Sequence, residues 1–139
     1  ADMRYATPDA RFSVMEIKWG LVPDLAGTQL MRHLAREDIV RELTYTGRIF
    51  DGREAQALGF VTRVVDDPRA AALETAREIA SKSPDAIRAN KRILNDAVAV
   101  DAATGLMAES VEQQKLIGSP NQVEAVMSNL QKRAANYRD

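Results

Sequence analysis

The chain has 139 residues, and its 19 lysine and arginine residues nearly balance 20 aspartate and glutamate residues, for a formal net charge of −1 at pH 7. Charges of both signs are interspersed, so we expect no nucleic-acid partner, and no apolar run approaches the roughly 18 residues that would predict a membrane span. The lack of cysteine excludes disulfides and thiolate chemistry, and a single histidine excludes a multi-histidine metal site. A single domain with a workable core is expected at this length, and a reducing cytoplasm is the expected compartment.

The first 66 residues predict short strands that alternate with short helices. The strand candidates are 11–14, 49–50 and 60–65, and the helix candidates are 27–35, 39–45 and 53–58. Gly47 and Gly59 would end the last two of these helices, because glycine readily takes the left-handed conformation that closes a helix. Strands 49–50 and 60–65 flank one helix, and we expect them to pair as a β–helix–β unit.

From residue 67 onward the pattern predicts consecutive helices that begin at about 68, 84, 102 and 120. Each start has a helix-capping residue, since Asp67, Ser83, Asp101 and Ser119 have side chains that accept hydrogen bonds from the first free N–H groups. Three of these starts also carry a proline at the first helical position, where the missing N–H costs nothing. The apolar stripes of these helices require a surface to pack against.

An acidic pair stands in the apolar stretch 10–29. Glu16 lies among hydrophobic residues, where an ionised carboxylate is costly unless it is paired or used, and Asp24 follows eight residues later. Carboxyl groups in such surroundings tend to have raised pKa values, which allows one site to hold a general acid and a general base. We therefore predict acid–base chemistry here. The alternatives are an exposed turn carboxylate for Glu16 and a helix N-cap or loop position for Asp24.

A series of short motifs runs along the whole chain. They are Pro8–Phe12, Met15–Ile17, Gly20–Pro23, Gly27–Gln29, Leu43–Arg48, Ala55–Val61, Ser83–Pro84, Lys91–Arg92 and Gln131–Tyr137. In this order they resemble the crotonase superfamily of enoyl-CoA hydratases and isomerases. The resemblance implies an α/β fold: residues 1–66 are the C-terminal part of a crotonase-type ββα spiral core, and 67–139 are a mostly helical oligomerisation and covering region of the same domain. Residues 1–6 then look like the end of a core strand, and 131–137 like the family's terminal helix.

The resemblance also implies an activity, that of an acyl-CoA hydratase or isomerase. Glu16 matches the family's second catalytic glutamate, which would move a proton at the α or γ carbon of a CoA thioester. The spacing of Glu16 and Asp24 is similar to that of the dienoyl-CoA isomerase branch. Leu25, in contrast, departs from the glycine-rich segment of most hydratases, and that departure argues against a simple hydratase assignment.

Binding residues follow from the same resemblance. Met15, Trp19 and Pro23 would bind the substrate, and Lys132 would contact a CoA phosphate. The alternatives are packing for Trp19 and a solvated charge for Lys132. His33 is expected to be a surface or packing residue.

Other parts of the family's active site are expected to lie outside this sequence. The resemblance places both backbone N–H groups of the oxyanion hole, and the first glutamate of hydratases, in a preceding half, so we expect the chain to be a fragment of a longer enzyme. No metal or redox cofactor is implied, since CoA is part of the substrate, and a homotrimer or dimer of trimers is the implied assembly. The alternatives are a hydratase with its other glutamate upstream and a non-catalytic helical assembly module.

Overall fold

Short parallel strands bring the two ends of the first part of the chain together. The computed structural model describes residues 1–138, and their contacts divide the chain into two units, Ala1–Leu73 and Glu74–Asp139. In the first unit, β1 (Tyr5–Ala6) pairs in parallel with β2 (Arg63–Val64), and Tyr5 lies opposite Arg63. The elements between the strands are a 3-10 helix (Glu16–Trp19), α1 (Gly27–Met31), α2 (Glu37–Thr46) and α3 (Gly52–Leu58).

The core of the first unit is apolar and closely packed. Its buried members are Ala6, Leu43, Phe50, Ala55 and Val61. The Phe12 ring stacks on the Phe50 ring with centroids 5.7 Å apart. Gly52 allows the backbones to approach, because a Cβ atom there would lie 2.0 Å from the carbonyl oxygen of Thr7. The start of α3 is thereby locked against the loop that follows β1.

The predicted β–helix–β pairing is wrong. Phe50 forms an isolated antiparallel bridge with Phe12, in which the two N–H···O bonds measure 2.9 and 3.0 Å. The backbone groups of Phe50 are therefore already used, and the later strand, shortened to Arg63–Val64, pairs with β1 instead. The expected strand end near residues 1–6 is confirmed at Tyr5–Ala6, whereas 11–14 provides only the bridge at Phe12.

The rest of the chain is mainly helical. Its first helix, α4 (Pro68–Ala80), begins in the first unit and continues into the second, which contains the other three helices. These are α5 (Pro84–Asp96), α6 (Ala102–Leu116) and α7 (Pro120–Leu130). The predicted caps are confirmed: the side chains of Asp67, Ser83, Asp101 and Ser119 each accept a backbone N–H three residues later. Helices α6 and α7 both pack on α5.

The helix predicted over 131–137 is wrong, because α7 ends at Leu130 and residues 131–138 form a turn followed by chain without regular secondary structure. Helix α1 is also shorter than expected, ending at Met31 rather than at residue 35. Among residues 1–138, no helix is long and apolar enough to cross a membrane. The same residues contain no group of three or more metal-ligating side chains.

Candidate active site

Glu16 is the first residue of the 3-10 helix and is half-buried. The turn around it is closed by backbone hydrogen bonds, since the N–H groups of Gly20 and Leu21 donate to the carbonyls of Ile17 and Glu16, each at 3.1 Å. These bonds define the backbone turn from which the Glu16 carboxylate projects.

The C-terminus of α2 braces this segment. The Ser13 hydroxyl donates a hydrogen bond of 2.8 Å to the carbonyl of Gly47. Gly47 has a φ of 61°, and a Cβ atom there would lie 2.9 Å from Cγ2 of Ile17. The sequence identified Gly47 as the end of a helix, and the structure confirms it. Its second role, making room beneath the helix that carries Glu16, has no spacing signal and was missed.

Asp24 is exposed in the loop between Gly20 and α1. The N-cap of α1 is Ala26, and among the described residues no side chain caps this helix, so the alternative in which Asp24 is a helix cap is wrong. Ala26 has a φ of 60°, a left-handed conformation that costs a non-glycine residue roughly 1 kcal/mol. Pro23 folds against α1, because a Cβ atom on Gly27 would lie 2.9 Å from Cβ of Pro23. The loop that carries Asp24 is thus strained and tightly turned.

The apolar residues around the two carboxylates form a surface rather than a core. The exposed fraction is 70% for Trp19, 73% for Val22 and 91% for Leu25. Met15, which precedes the 3-10 helix, is exposed to 36%. Trp19 is therefore not a core packing residue of this unit, and its ring lies 5.4 Å from the Lys18 ammonium. His33 is a surface residue as expected, and its Nε2 accepts from Nε of Arg32 at 3.3 Å.

Lys132 lies in the second unit, at the turn that ends α7, and is exposed. The Lys132 N–H donates to the carbonyl of Asn129 at 3.2 Å, and the Arg133 N–H donates to that of Ser128 at 3.0 Å. This pair of bonds is the Schellman arrangement, whose left-handed position is usually glycine. Here Lys132 occupies that position with a φ of 52°.

A charged contact follows this turn directly. Arg133 forms a two-pronged ion pair with Glu124 of α7, with Nη1 on Oε1 and Nη2 on Oε2 at 2.8 Å. The Asn136 N–H also donates to Glu124 at 2.7 Å. Hydrogen bonds from Arg133 and from the Asn136 backbone lower the pKa of Glu124 from its usual 4.5 to about 2.

Asn121 holds the last part of the described chain. It is 4% exposed, and its Nδ2 donates to Asp85 and to the Arg138 carbonyl, both at 2.8 Å. Its Oδ1 accepts the Arg138 N–H at 2.8 Å. The segment after α7 is therefore fixed by side-chain hydrogen bonds, which a helical interpretation of 131–137 did not foresee.

The first unit thus holds the carboxylates of Glu16 and Asp24 on one segment, in an exposed apolar surface. Such a surface suits an acyl chain, and the carboxylates suit proton transfer. Glu16, Met15, Trp19, Pro23 and Asp24 all lie within this one segment, while Lys132 lies in the other unit.

Comparison with known proteins identifies the family. The family model described as enoyl-CoA hydratase/isomerase matches residues 1–139. Methylglutaconyl-CoA hydratase, mitochondrial, of Mus musculus is 29% identical over 143 residues, which cover 99% of this chain and 46% of that protein. The short-chain-enoyl-CoA hydratase of Clostridium acetobutylicum is 29% identical over 136 residues, or 95% of this chain and 51% of that protein.

A crystal structure of enoyl-CoA hydratase from Bacillus anthracis superimposes with a TM-score of 0.94 at 31% identity, covering 99% of this chain and 54% of that one. The fold is therefore a crotonase-type α/β fold, mostly helical with a small sheet, as the sequence predicted. The chain belongs to the enoyl-CoA hydratase/isomerase family. It spans about half the length of the curated relatives it matches.

Proposed function

We propose that this protein transfers protons on an acyl-CoA thioester as a hydratase or isomerase, with Glu16 as the acid–base residue. The observation that carries the proposal is the position of Glu16, half-buried on a 3-10 helix that Ser13 and Gly47 brace. A general acid or base needs a fixed position relative to the carbon it protonates, and the bracing of the backbone that carries Glu16 supports such a role. The family match supports the assignment.

In the proposed reaction, the thioester becomes an enolate whose negative oxygen is stabilised by two backbone N–H donors. The family draws these donors from a segment before the one matched here, and each donor of this kind is typically worth about 3–4 kcal/mol. The enolate forms as the Glu16 carboxylate takes a proton from one carbon, and it is consumed when a carboxylic acid at this position returns a proton to another carbon. The proposed steps are proton transfers that use no metal or redox cofactor, and CoA is part of the substrate.

Asp24 would be the second acid–base group of an isomerase. Moving a double bond along a conjugated acyl chain requires one group to remove a proton and another to return one elsewhere. The Asp24 side chain does not cap α1, so its carboxylate has no structural use at that helix. In the hydratase alternative, a glutamate from outside this sequence replaces Asp24, and the reaction adds water to a 2-enoyl-CoA.

The remaining contacts follow the same assignment. Met15, Trp19 and the half-buried Pro23 would line the acyl site, where apolar side chains suit a hydrocarbon. Lys132 would contact a CoA phosphate through its exposed ammonium. We also propose a homotrimer or dimer of trimers in the cytoplasm.

Activity of the protein expressed from its complete reading frame tests this proposal. Turnover of a 2-enoyl-CoA and a 3,5-dienoyl-CoA is followed by absorbance for the wild type, Glu16→Gln and Asp24→Asn. Glu16→Gln is expected to lower kcat/KM by about 10²–10⁴-fold, the usual contribution of a positioned acid or base. Asp24→Asn is expected to abolish diene turnover selectively if the protein is an isomerase.

The control is Glu74→Gln, an exposed position on α4, which changes the same charge and is expected to leave kcat/KM unchanged. Equal losses in Glu16→Gln and this control would contradict the catalytic role of Glu16. Wild-type activity on the 2-enoyl-CoA alone would favour the hydratase.

A non-catalytic assembly module is the second candidate. It is favoured by the apolar residues that the helices of the second unit leave exposed, among them Leu106 at 63%, Met107 at 65% and Leu130 at 74%. This candidate predicts no thioester turnover by any form of the protein. It also predicts that Glu16→Gln leaves the assembly, measured by light scattering, unchanged.

A further inference from the structure

Lys132 stands where a glycine would be easier to accommodate. The left-handed position of a Schellman turn suits glycine because other residues suffer a clash of Cβ with the backbone. A lysine at φ 52° is therefore held there by something in its surroundings. The contacts on either side of the turn identify what holds it.

The residue after Lys132 is tied to the body of α7. Arg133 uses two guanidinium nitrogens on Glu124, and its Nε donates to Gln131 at 2.7 Å. A two-pronged arginine–carboxylate pair fixes orientation as well as distance. The Asn136 N–H completes the contact by donating to the same carboxylate. The Lys132 backbone is thus enclosed between α7 and a segment that folds back onto α7.

We propose that Glu124, Arg133 and Asn136 form a clasp that positions Lys132 for a phosphate group of CoA, an inference that rests on the function proposed above. In this arrangement Glu124 is a positioning residue, and it never touches the ligand. Because the clasp fixes the lysine backbone, the ammonium is confined to fewer positions before binding, and less conformational entropy is lost when a phosphate is bound.

A double-mutant cycle tests the clasp by measuring the Kd of CoA for the protein expressed from its complete reading frame. The variants are Glu124→Gln, Lys132→Gly and the two together. Lys132→Gly removes the ammonium from a position that glycine accepts, so the fold is retained, and CoA is expected to bind roughly tenfold more weakly. Glu124→Gln is expected to weaken binding at least about twofold with Lys132 present and not at all without it.

The matched control is Glu112→Gln on α6. Glu112 pairs with Arg92 at 2.6 Å, and its side chain is 15% exposed compared with 20% for Glu124, so the charge lost and the burial are similar. This variant is expected to leave the Kd of CoA unchanged. Hydrogen exchange at the Asn136 amide is expected to accelerate in Glu124→Gln and to stay slow in the control.

Each of the other outcomes contradicts a specific part of the proposal. If Glu124→Gln has no effect, or weakens CoA binding equally with and without Lys132, the clasp inference is wrong while the proposed function stands. If Lys132→Gly leaves the Kd unchanged, the phosphate contact and the clasp inference are both overturned. If the wild-type protein binds no CoA, the proposed function itself fails.

Discussion

The residues buried inside the first unit differ in kind from those buried inside the second. In Ala1–Leu73 the buried side chains are apolar, with Leu43 fully buried and Phe50 4% exposed. In the unit that starts at Glu74, the buried residues that the structure describes are mostly polar: Ser83, Asn121 and Ser128, beside Ala89. The first unit has a hydrophobic core, while the second is organised by caps and side-chain hydrogen bonds.

This difference explains where the candidate functional residues lie. Glu16 lies on a segment braced by close backbone packing, in which Gly47 leaves room for Ile17. Lys132, in contrast, is held by an ion pair and by hydrogen bonds around Glu124. A hydrophobic core contributes stability at any ordinary pH, whereas a charged contact depends on the ionisation of its members. The contact around Glu124 should therefore respond to acid, while the apolar core of the first unit should not.

The largest difference in stability between the two units is expected when a leucine is replaced by alanine. Leu43→Ala creates a cavity in the first unit and should lower the free energy of unfolding by about 2–5 kcal/mol. Leu106→Ala, at a position 63% exposed, should change it by less than about 0.5 kcal/mol. Urea unfolding of both variants measures the difference. Equal losses would contradict the comparison, because they would mean that the exposed face of α6 is covered in the folded protein.

Replacing a glycine by alanine is expected to have opposite effects on stability in the two units. Gly52→Ala places a Cβ atom against the Thr7 carbonyl and should cost about 1–3 kcal/mol. Gly105→Ala in α6 meets only Cγ2 of Val100 at 3.8 Å and should stabilise the helix by about 0.5–1 kcal/mol. Thermal unfolding of the pair tests both signs. A neutral Gly52→Ala would show that the α3 start is not locked to the loop after β1.

Acid should disrupt the clasp around Glu124, and its effect on the free energy of unfolding is expected to be the smallest of the three. The pKa of Glu124 is lowered to about 2 in the folded protein by hydrogen bonds from Arg133 and Asn136, while 4.5 is its usual value. Its ionised form therefore contributes stability above about pH 4.5, and that contribution is lost as the pH falls toward 2. The stability difference between wild type and Glu124→Gln is expected to shrink over this range. A difference that stays constant with pH would contradict the ion-pair account of the clasp.

Local signals in the sequence predicted the helices of the second unit well. Asp101 and Ser119 cap α6 and α7 as expected, because capping joins a side chain to an N–H group only three residues away. Asp51 and Gly59 likewise mark the two ends of α3. A signal that acts within one helical turn can be recognised from neighbouring residues alone.

Pairing over long distances could not be predicted in this way. The sequence showed that 60–65 favours a strand, but β2 pairs with β1 because the backbone of Phe50 is already bonded to Phe12. The role of Gly47 beneath Ile17 was also missed, since it depends on packing between α2 and the 3-10 helix. The helix predicted over 131–137 was wrong, and in its place Arg133 and Asn136 form hydrogen bonds back to Glu124 of α7.

The sequence by itself determined the family and the order of the helices in the second unit, and it predicted Glu16, Asp24 and Lys132 as site residues. Its motifs were sufficient because each is a short run of neighbouring residues and together they follow a fixed order along the whole chain. Only the tertiary structure decided that Glu16 lies on a braced 3-10 helix, that Asp24 caps no helix, and that Lys132 occupies a left-handed turn. The bracing depends on the contact of Ser13 with Gly47, 34 residues away, and the Lys132 turn is followed by the contact of Arg133 with Glu124, so neither could be recognised from local propensity alone.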